Sequence, residues 1–359
     1  MPTKAIGYAA KNKRANLKPT AFERRDLGDE DVQIAALYCG LCHSDVHQVR
    51  NEWGNTVYPC MPGHEIVGRV TGVGGGVSAH QVGDLVAVGC MVDSCRECAS
   101  CRAGEEQYCA GPKGWTATYN GPMKPDGTNT FGGYSNALVV AEHFVLRVPD
   151  ALAAKGLASV APLLCAGVTT YSPLRHWKVG PGQKVGVVGL GGLGHVAVQL
   201  ARALGADVVC LTRSKKDKEA DARRLGAGEV VDSTDRKAMA AHELSFDLIL
   251  STIPEAHDLN PYVQLLKRDA TLVVVGALGP FQKPTNNQQV AFHRRSVAGS
   301  LIGSVAETQE VLDFCAEHGI TAQVEVIPAD DVNDAFDRVV DGAVRYRYVL
   351  DLATLPATA

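Results

Sequence analysis

No uninterrupted apolar run in this 359-residue sequence reaches the roughly 20 residues that span a bilayer. The first residues, Met-Pro-Thr-Lys-Ala-Ile-Gly-Tyr, lack the apolar core of a signal peptide, so no membrane is expected as a partner. Neither sign of charge dominates: 35 Lys and Arg stand against 39 Asp and Glu, a formal net charge of −4. That balance gives no electrostatic reason to expect nucleic acid or anionic lipid. No internal repeat or disordered tract is visible. What remains is ordinary for a globular protein, 46% hydrophobic and 21% charged. The length predicts two domains, with ample sequence for two buried cores.

Against that background the cysteines stand out. Cys95, Cys98, Cys101 and Cys109 form a ladder in which two residues separate each of the first three, and seven separate the third from the fourth. Zn²⁺ takes four soft ligands in a tetrahedron, at about 2.3 Å per sulfur, and short spacers let one lobe wrap it. A closed shell of four thiolates has no open position, so such a metal shapes a loop and does no chemistry. The same spacing permits an iron–sulfur cluster. Disulfides are the third reading, but they belong to oxidising compartments and small scaffolds, and this large chain has an odd eleven cysteines. Structural zinc is favoured. Thiolates held by metal, without an export signal, predict a cytoplasmic protein.

Texture divides the chain near Pro149. Before it, residues 67–88 carry Gly68, Gly72, Gly74, Gly75, Gly76 and Gly83 among valines, a β pattern with frequent turns. After it, predicted strands at 184–188, 207–211, 229–231, 246–250, 271–275 and 297–302 occur among helices that include 193–204 and 217–225. This alternation predicts βαβ units and a parallel sheet covered on both faces. A helix is predicted at 308–318, and β texture returns at 346–352.

Gly189-Leu190-Gly191-Gly192-Leu193-Gly194 follows the first of these strands and opens a helix. The first glycine makes a tight turn, the second lets backbone approach a pyrophosphate, and the third allows helix–strand packing. The helix start then offers N–H groups to phosphate. A turn serving packing alone is the plainer reading. At the end of the second strand, where an NAD site places a carboxylate for the ribose, the sequence reads Leu211-Thr212-Arg213-Ser214-Lys215-Lys216, with no acid before Asp217. Arg213 and a lysine suit a 2′-phosphate, with Ser214 adding a hydrogen bond, so NADP is favoured over a merely solvated helix start.

Three more segments draw attention: Cys39-Gly-Leu-Cys42-His43-Ser44-Asp45-Val-His47, Pro62-Gly63-His64-Glu65 and Pro162-Leu-Leu-Cys165-Ala-Gly-Val-Thr169. Each alone is ambiguous, since a single buried cysteine usually fills core. In order with Val-Gly-Asp-Leu-Val, the ladder, the glycine turn and Val-Arg-Tyr-Arg-Tyr near the end, they resemble the zinc-dependent medium-chain alcohol dehydrogenases over essentially the whole chain. The similarity is greatest to the cinnamyl alcohol dehydrogenase-like branch.

The resemblance implies an α/β protein with a GroES-like β-rich catalytic domain at 1–151, carrying the metal lobe at about 90–112. A Rossmann-fold NADP-binding domain, a doubly wound parallel sheet, would occupy 152–292, and 293–359 would complete the domains. By motif position Cys42, His64 and Cys165 would bind a catalytic zinc, making two zinc ions per chain, with a fourth position open for substrate oxygen. Cys39 is structural in that motif. Glu65 would lie beside the metal, and Asp45 would orient the zinc histidine. Ser44 and His47 would relay the alcohol proton to water, although Ser44 could instead cap a helix. Thr169, Val275, Gly276, Ser300 and Ile302 would join Gly189, Gly191, Gly192, Leu193, Gly194, Thr212, Arg213, Ser214 and Lys215 around NADP(H).

The implied reaction is reversible alcohol–aldehyde interconversion, zinc polarising the substrate oxygen while hydride passes between carbon and the nicotinamide. Trp53, Trp115 and Tyr119 would wall a pocket for a planar or long apolar aldehyde; core or lid packing explains them nearly as well. Residues 114–132 depart from the family pattern, which leaves pocket shape open. A polyol or secondary-alcohol dehydrogenase, or a cofactor-binding protein without catalysis, are the competing functions. The family also implies a homodimer joined through Rossmann strands. Residues 270–279 are apolar enough for its edge, but burial within one subunit explains them equally.

Overall fold

The computed structural model describes residues 3–112, 114–121 and 129–357, so residues 122–128 of the unusual 114–132 segment lie outside the described residues. The chain forms two compact units, Met1–Cys165 with Ser304–Ala359, and Ala166–Gly303. The change of texture near Pro149 precedes this division. The short 3-10 turns Leu157–Ser159 and Ala161–Leu164 pack on strands of the first unit, and Leu163 and Leu164 are fully buried there. Their apolar composition therefore belongs to the first core, and it carries Cys165 in with it.

The hub of the first unit is the strand Asp31–Gly40. It pairs antiparallel with Ile66–Val73, Ala137–Ala141 and Arg347–Asp351. The seven-stranded sheet thus joins both ends of the chain, with Val349 opposite Gly40 and Leu350 opposite Cys39. That register brings Arg347 to the end of the hub strand, beside the segment that follows Gly63. The helix Val305–His318 starts before the predicted 308 because Ser304 and Glu307 form a reciprocal capping box.

The second unit is a six-stranded parallel sheet. Its order is Glu229–Asp232, Asp207–Thr212, Lys184–Val188, Phe246–Ser251, Leu266–Val274, Ser296–Gly299. Numbered along the chain this is 3-2-1-4-5-6, the doubly wound Rossmann order. Val188, Val209, Leu211, Phe246, Ile249 and Leu272 fill one contiguous core, as expected for strands covered on both faces. The strand predicted at 271–275 begins earlier, at Leu266, and is paired on both sides, so residues 270–274 are interior, while Leu278 beyond the strand is exposed and the sheet edge is Ser296–Gly299. The apolar run 297–302 leaves the sheet after Gly299, and Ile302 takes a positive φ of 39°, costly for a β-branched residue. No single helix among the described residues is long and apolar enough to cross a membrane.

Candidate functional site

In the first unit the donor atoms of Cys42, His64, Glu65 and Cys165 all lie within 4.8 Å of one another, and all four residues are buried. Cys42 caps the helix His43–Val49, and the backbone N–H of Cys42 donates to Asp45 Oδ2 at 2.9 Å. Ser44 is therefore inside the helix rather than its cap. His64 Nδ1 meets Asp45 Oδ1 at 3.1 Å. With the proton on Nδ1, the other ring nitrogen keeps its lone pair for a metal. Sharing a proton with Cys165 draws the Cys42 thiol well below its ordinary value despite burial, with help from His64. Two soft sulfurs and one imidazole, one sulfur already inclined to ionise, fit zinc in an open catalytic site.

Glu65 sits against Arg347, whose Nη2 donates to its two oxygens at 2.5 and 2.6 Å, both side chains buried. Burial lifts the Glu65 carboxyl to about 7 even against the pull of this cation. The pair has room because residue 40 is glycine: a Cβ there would stand 2.0 Å from Glu65 Oε2. Arg347 lies in the Val-Arg-Tyr-Arg-Tyr motif, and its role is not legible there because its partner is 282 residues away.

Ser44 and His47 occupy one helix, half-buried, three residues apart and so on neighbouring positions of one face. His47 Nδ1 is hydrogen-bonded to Glu52, and its ring packs between those of His43 and Trp53, with centroids at 4.7 and 5.5 Å. Glu52 was not among the expected residues. Trp115 is half-buried. Tyr119 is buried with its ring 5.5 Å from that of His64, and its hydroxyl bonds Asp45. Cys39 is buried and contacts the Gly63 and Gly133 positions rather than the donor cluster.

The ladder closes as a second donor set, Cys95, Cys98, Cys101 and Cys109, with all four sulfurs within 4.8 Å. The Cys95 and Cys101 sulfurs are 3.9 Å apart. That matches the roughly 3.8 Å of two sulfurs on one tetrahedral zinc and is far beyond a disulfide bond of about 2.05 Å. Backbone N–H groups of Cys98 and Ala110 donate to the sulfurs of Cys95 and Cys98 at 3.3 and 3.4 Å. The backbone N–H groups of Cys101 and Ala110 draw the Cys98 thiol down to about 6, toward the thiolate form a metal needs.

In the second unit Gly189 ends the first strand with φ 90°, and a Cβ on Gly194 would meet the Gly189 carbonyl oxygen at 2.1 Å. Both are glycine for steric reasons. Gly191 has nothing within 4 Å of its Cβ position, an open cradle. Leu193 precedes the helix Gly194–Ala203, and Gly192 completes the turn. Two residues the sequence reading left without a role hold that turn: His195 Nδ1 bonds the Gly191 carbonyl at 3.1 Å, and Lys218 Nζ donates to the Leu190 carbonyl at 2.8 Å.

Thr212 ends the neighbouring strand, Arg213 is exposed beyond it, and Ser214 caps the helix that Lys215 begins. Val275 and Gly276 donate their N–H groups to the Ser251 carbonyl at 3.0 and 3.2 Å, while Ser300 and Ile302 follow the edge strand. Thr169 Oγ1 is buried with no hydrogen-bond partner. An orphaned hydroxyl and an open glycine cradle fit a dinucleotide.

Comparison with known proteins agrees. The Alcohol dehydrogenase GroES-like domain family matches residues 28–150, and the Zinc-binding dehydrogenase family matches residues 192–317. An aldehyde reductase of Escherichia coli is 53% identical over 356 residues, 99% of each chain. NADP-dependent alcohol dehydrogenase C 1 of Mycolicibacterium smegmatis is 51% identical over 97% of this chain and 98% of its own. The solved structure of a cinnamyl alcohol dehydrogenase from Sorghum bicolor superposes with a TM-score of 0.93 at 44% identity, covering 99% of this chain and 100% of that one. The chain belongs to the zinc-dependent medium-chain alcohol dehydrogenase family, in its cinnamyl alcohol dehydrogenase-like branch.

Proposed function

We propose that this protein is a zinc- and NADP(H)-dependent alcohol dehydrogenase and aldehyde reductase acting on primary alcohols and aldehydes, aromatic or long and apolar. The observation that carries the reading is the buried convergence of Cys42, His64 and Cys165 beside Glu65. These three residues would hold the catalytic zinc, and Cys95, Cys98, Cys101 and Cys109 a structural one. When bound, the catalytic zinc supplies Lewis acidity toward a substrate oxygen, and NADP(H) supplies or takes up hydride.

The chain's own groups handle the proton and the cofactor charge. Ser44 Oγ takes the proton of the substrate hydroxyl, and His47, held by Glu52, exchanges it with water. Arg213 neutralises the 2′-phosphate, with Ser214 and Lys215 beside it. Trp53, Trp115 and Tyr119 are the walls of the substrate pocket. The edge strand Ser296–Gly299, with Phe292 just before it in the chain 73% exposed, supports a homodimer through sheet continuation. We assign the protein to the cytoplasm on its metal-ligating thiols.

Replacing Arg213 with alanine is expected to raise the KM for NADPH about 10- to 100-fold, the loss of a charge-assisted hydrogen bond of about 1.5–3 kcal/mol, and to leave the KM for NADH nearly unchanged. Steady-state kinetics with both cofactors test this; equal effects would remove Arg213 from the 2′-phosphate. Ser44→Ala is expected to lower kcat about 100-fold, the low end for a positioned acid–base group, with little change in KM for NADPH. An unchanged kcat would place the proton path elsewhere. Turnover of benzaldehyde or cinnamaldehyde against a polyol tests the substrate class, and preference for the polyol would overturn it.

A further inference from the structure

The metal reading depends on His64, and His64 is held from behind by a carboxylate ringed by hydrogen-bond donors. Asp45 is fully buried. Its Oδ1 faces His64 Nδ1 at 3.1 Å and the Gly63 N–H at 3.2 Å. Its Oδ2 accepts from the Cys42 N–H at 2.9 Å and from the Tyr134 hydroxyl at 3.1 Å. The Tyr119 hydroxyl also hydrogen-bonds this carboxylate, so its roughly four lone-pair sites are all in use. Two of the donors come from metal-ligand residues. Asp45 therefore ties Cys42 and His64 together, and two tyrosine hydroxyls, those of Tyr134 and Tyr119, reach it from distant segments.

The segment that carries Tyr134 is built to deliver its hydroxyl. Gly132, Gly133 and Tyr134 donate their N–H groups to Met61, Gly63 and Pro62 at 2.8, 2.9 and 3.0 Å, which locks them to the strip leading into His64. A Cβ at 132 would stand 2.4 Å from the Pro62 carbonyl oxygen, and one at 133 would stand 2.0 Å from Ile66 Cγ1. The approach is possible only with glycine at both positions. Behind it Arg24 caps the carbonyls of Phe131, Gly132 and Ala137 and the hydroxyl of Ser135 at 2.7 to 3.0 Å. The Tyr134 side chain is fully buried, where a hydroxyl without a partner is costly. Burial and the facing Asp45 charge both hold its phenol in the protonated, donating form.

We infer that Tyr134 is a positioning residue of the catalytic metal site: its hydroxyl fixes Asp45, and Asp45 in turn fixes the imidazole of His64 and the backbone of Cys42. Without the Tyr134 hydroxyl, Oδ2 loses a donor and the carboxylate is held less firmly against His64. Arg24 acts one step further out, holding the segment that carries Tyr134. The inference rests on the zinc reading given above.

The test is zinc affinity, measured by competition with a chromophoric chelator, together with the visible spectrum of the cobalt-substituted protein. Removing a direct partner of a metal ligand costs about 10- to 100-fold in affinity, the expectation for Asp45→Asn. Tyr134→Phe keeps the ring and acts through Asp45, so its loss is expected to be smaller, about three- to tenfold. It should shift the cobalt bands of the catalytic site and lower kcat without moving the KM for NADPH. The double variant Asp45→Asn/Tyr134→Phe should bind zinc as Asp45→Asn does, because both act through one contact. Arg24→Lys, which keeps the charge and loses the planar fork, should weaken binding in the same direction.

Additive losses in the double variant, or wild-type affinity and spectrum in Tyr134→Phe, would overturn the inference while leaving the zinc reading intact. A wild-type protein that binds no zinc at these residues would overturn both.

Discussion

Replacing Cys165 with serine is expected to lower alcohol dehydrogenase activity to background and to reduce bound zinc from two ions per chain to about one. Cys165 is one of only two sulfurs in the buried set with His64 and Glu65. A serine hydroxyl does not ionise near neutral pH and is a hard ligand, so the site loses the soft, anionic donor that selects zinc. The fold should survive, because the turn Ala161–Leu164 that delivers residue 165 is fixed by its own buried apolar side chains. Cys42→Ser should behave the same way. Metal analysis and circular dichroism of the purified variants check both. Full zinc with full activity in either variant would remove that residue from the site.

The second large effect is expected from Arg347→Met. The variant leaves the buried Glu65 carboxylate without its cation, and breaking a buried pair from one side costs about 3–5 kcal/mol. Removing both charges should restore most of that loss, since buried pairs contribute little over apolar neighbours of similar size. The denaturation midpoint is therefore expected to fall sharply for Arg347→Met and to recover in Arg347→Met/Glu65→Gln. Equal destabilisation in the single and double variants would mean that Arg347 acts by packing rather than by charge. The pair also tethers the chain's last strand to the segment following Gly63, so the single variant should lose catalytic zinc as well as stability.

These two expectations differ in how far they could be read from sequence. Cys42, His64 and Cys165 stand in short motifs whose order along the chain is itself informative. The ladder is legible from its spacing alone, because short loops confine four sulfurs to one volume. The glycine turn is legible because each glycine answers a local steric demand. Arg347, Tyr134 and Arg24 answer no local demand. Their partners lie 282, 89 and more than 100 residues away and meet only when the sheet forms. Lys218 and His195 are similar: each reads as a helix residue until its contact with the glycine turn is seen.

Element limits show the same division. Helix Val305–His318 begins three residues before the predicted 308 because the Ser304–Glu307 capping box sets its first turn. The alanine- and leucine-rich stretch after Pro149 read as the start of the second domain, yet it fills the first core. Composition reports that a segment is buried, not which core receives it. Tyr119 illustrates the limit for function: sequence shows an aromatic near a suspected pocket, and only the fold shows that its ring lies 5.5 Å from that of His64 and that its hydroxyl bonds Asp45.

The most direct test of the whole account is aldehyde-dependent loss of NADPH absorbance by the purified, zinc-loaded protein, run beside NADH and beside protein stripped of metal by a chelator. The account predicts rapid turnover of cinnamaldehyde with NADPH, much slower turnover with NADH, and none after stripping until zinc is restored. Undiminished turnover by metal-free protein, or equal use of NADH, would contradict it.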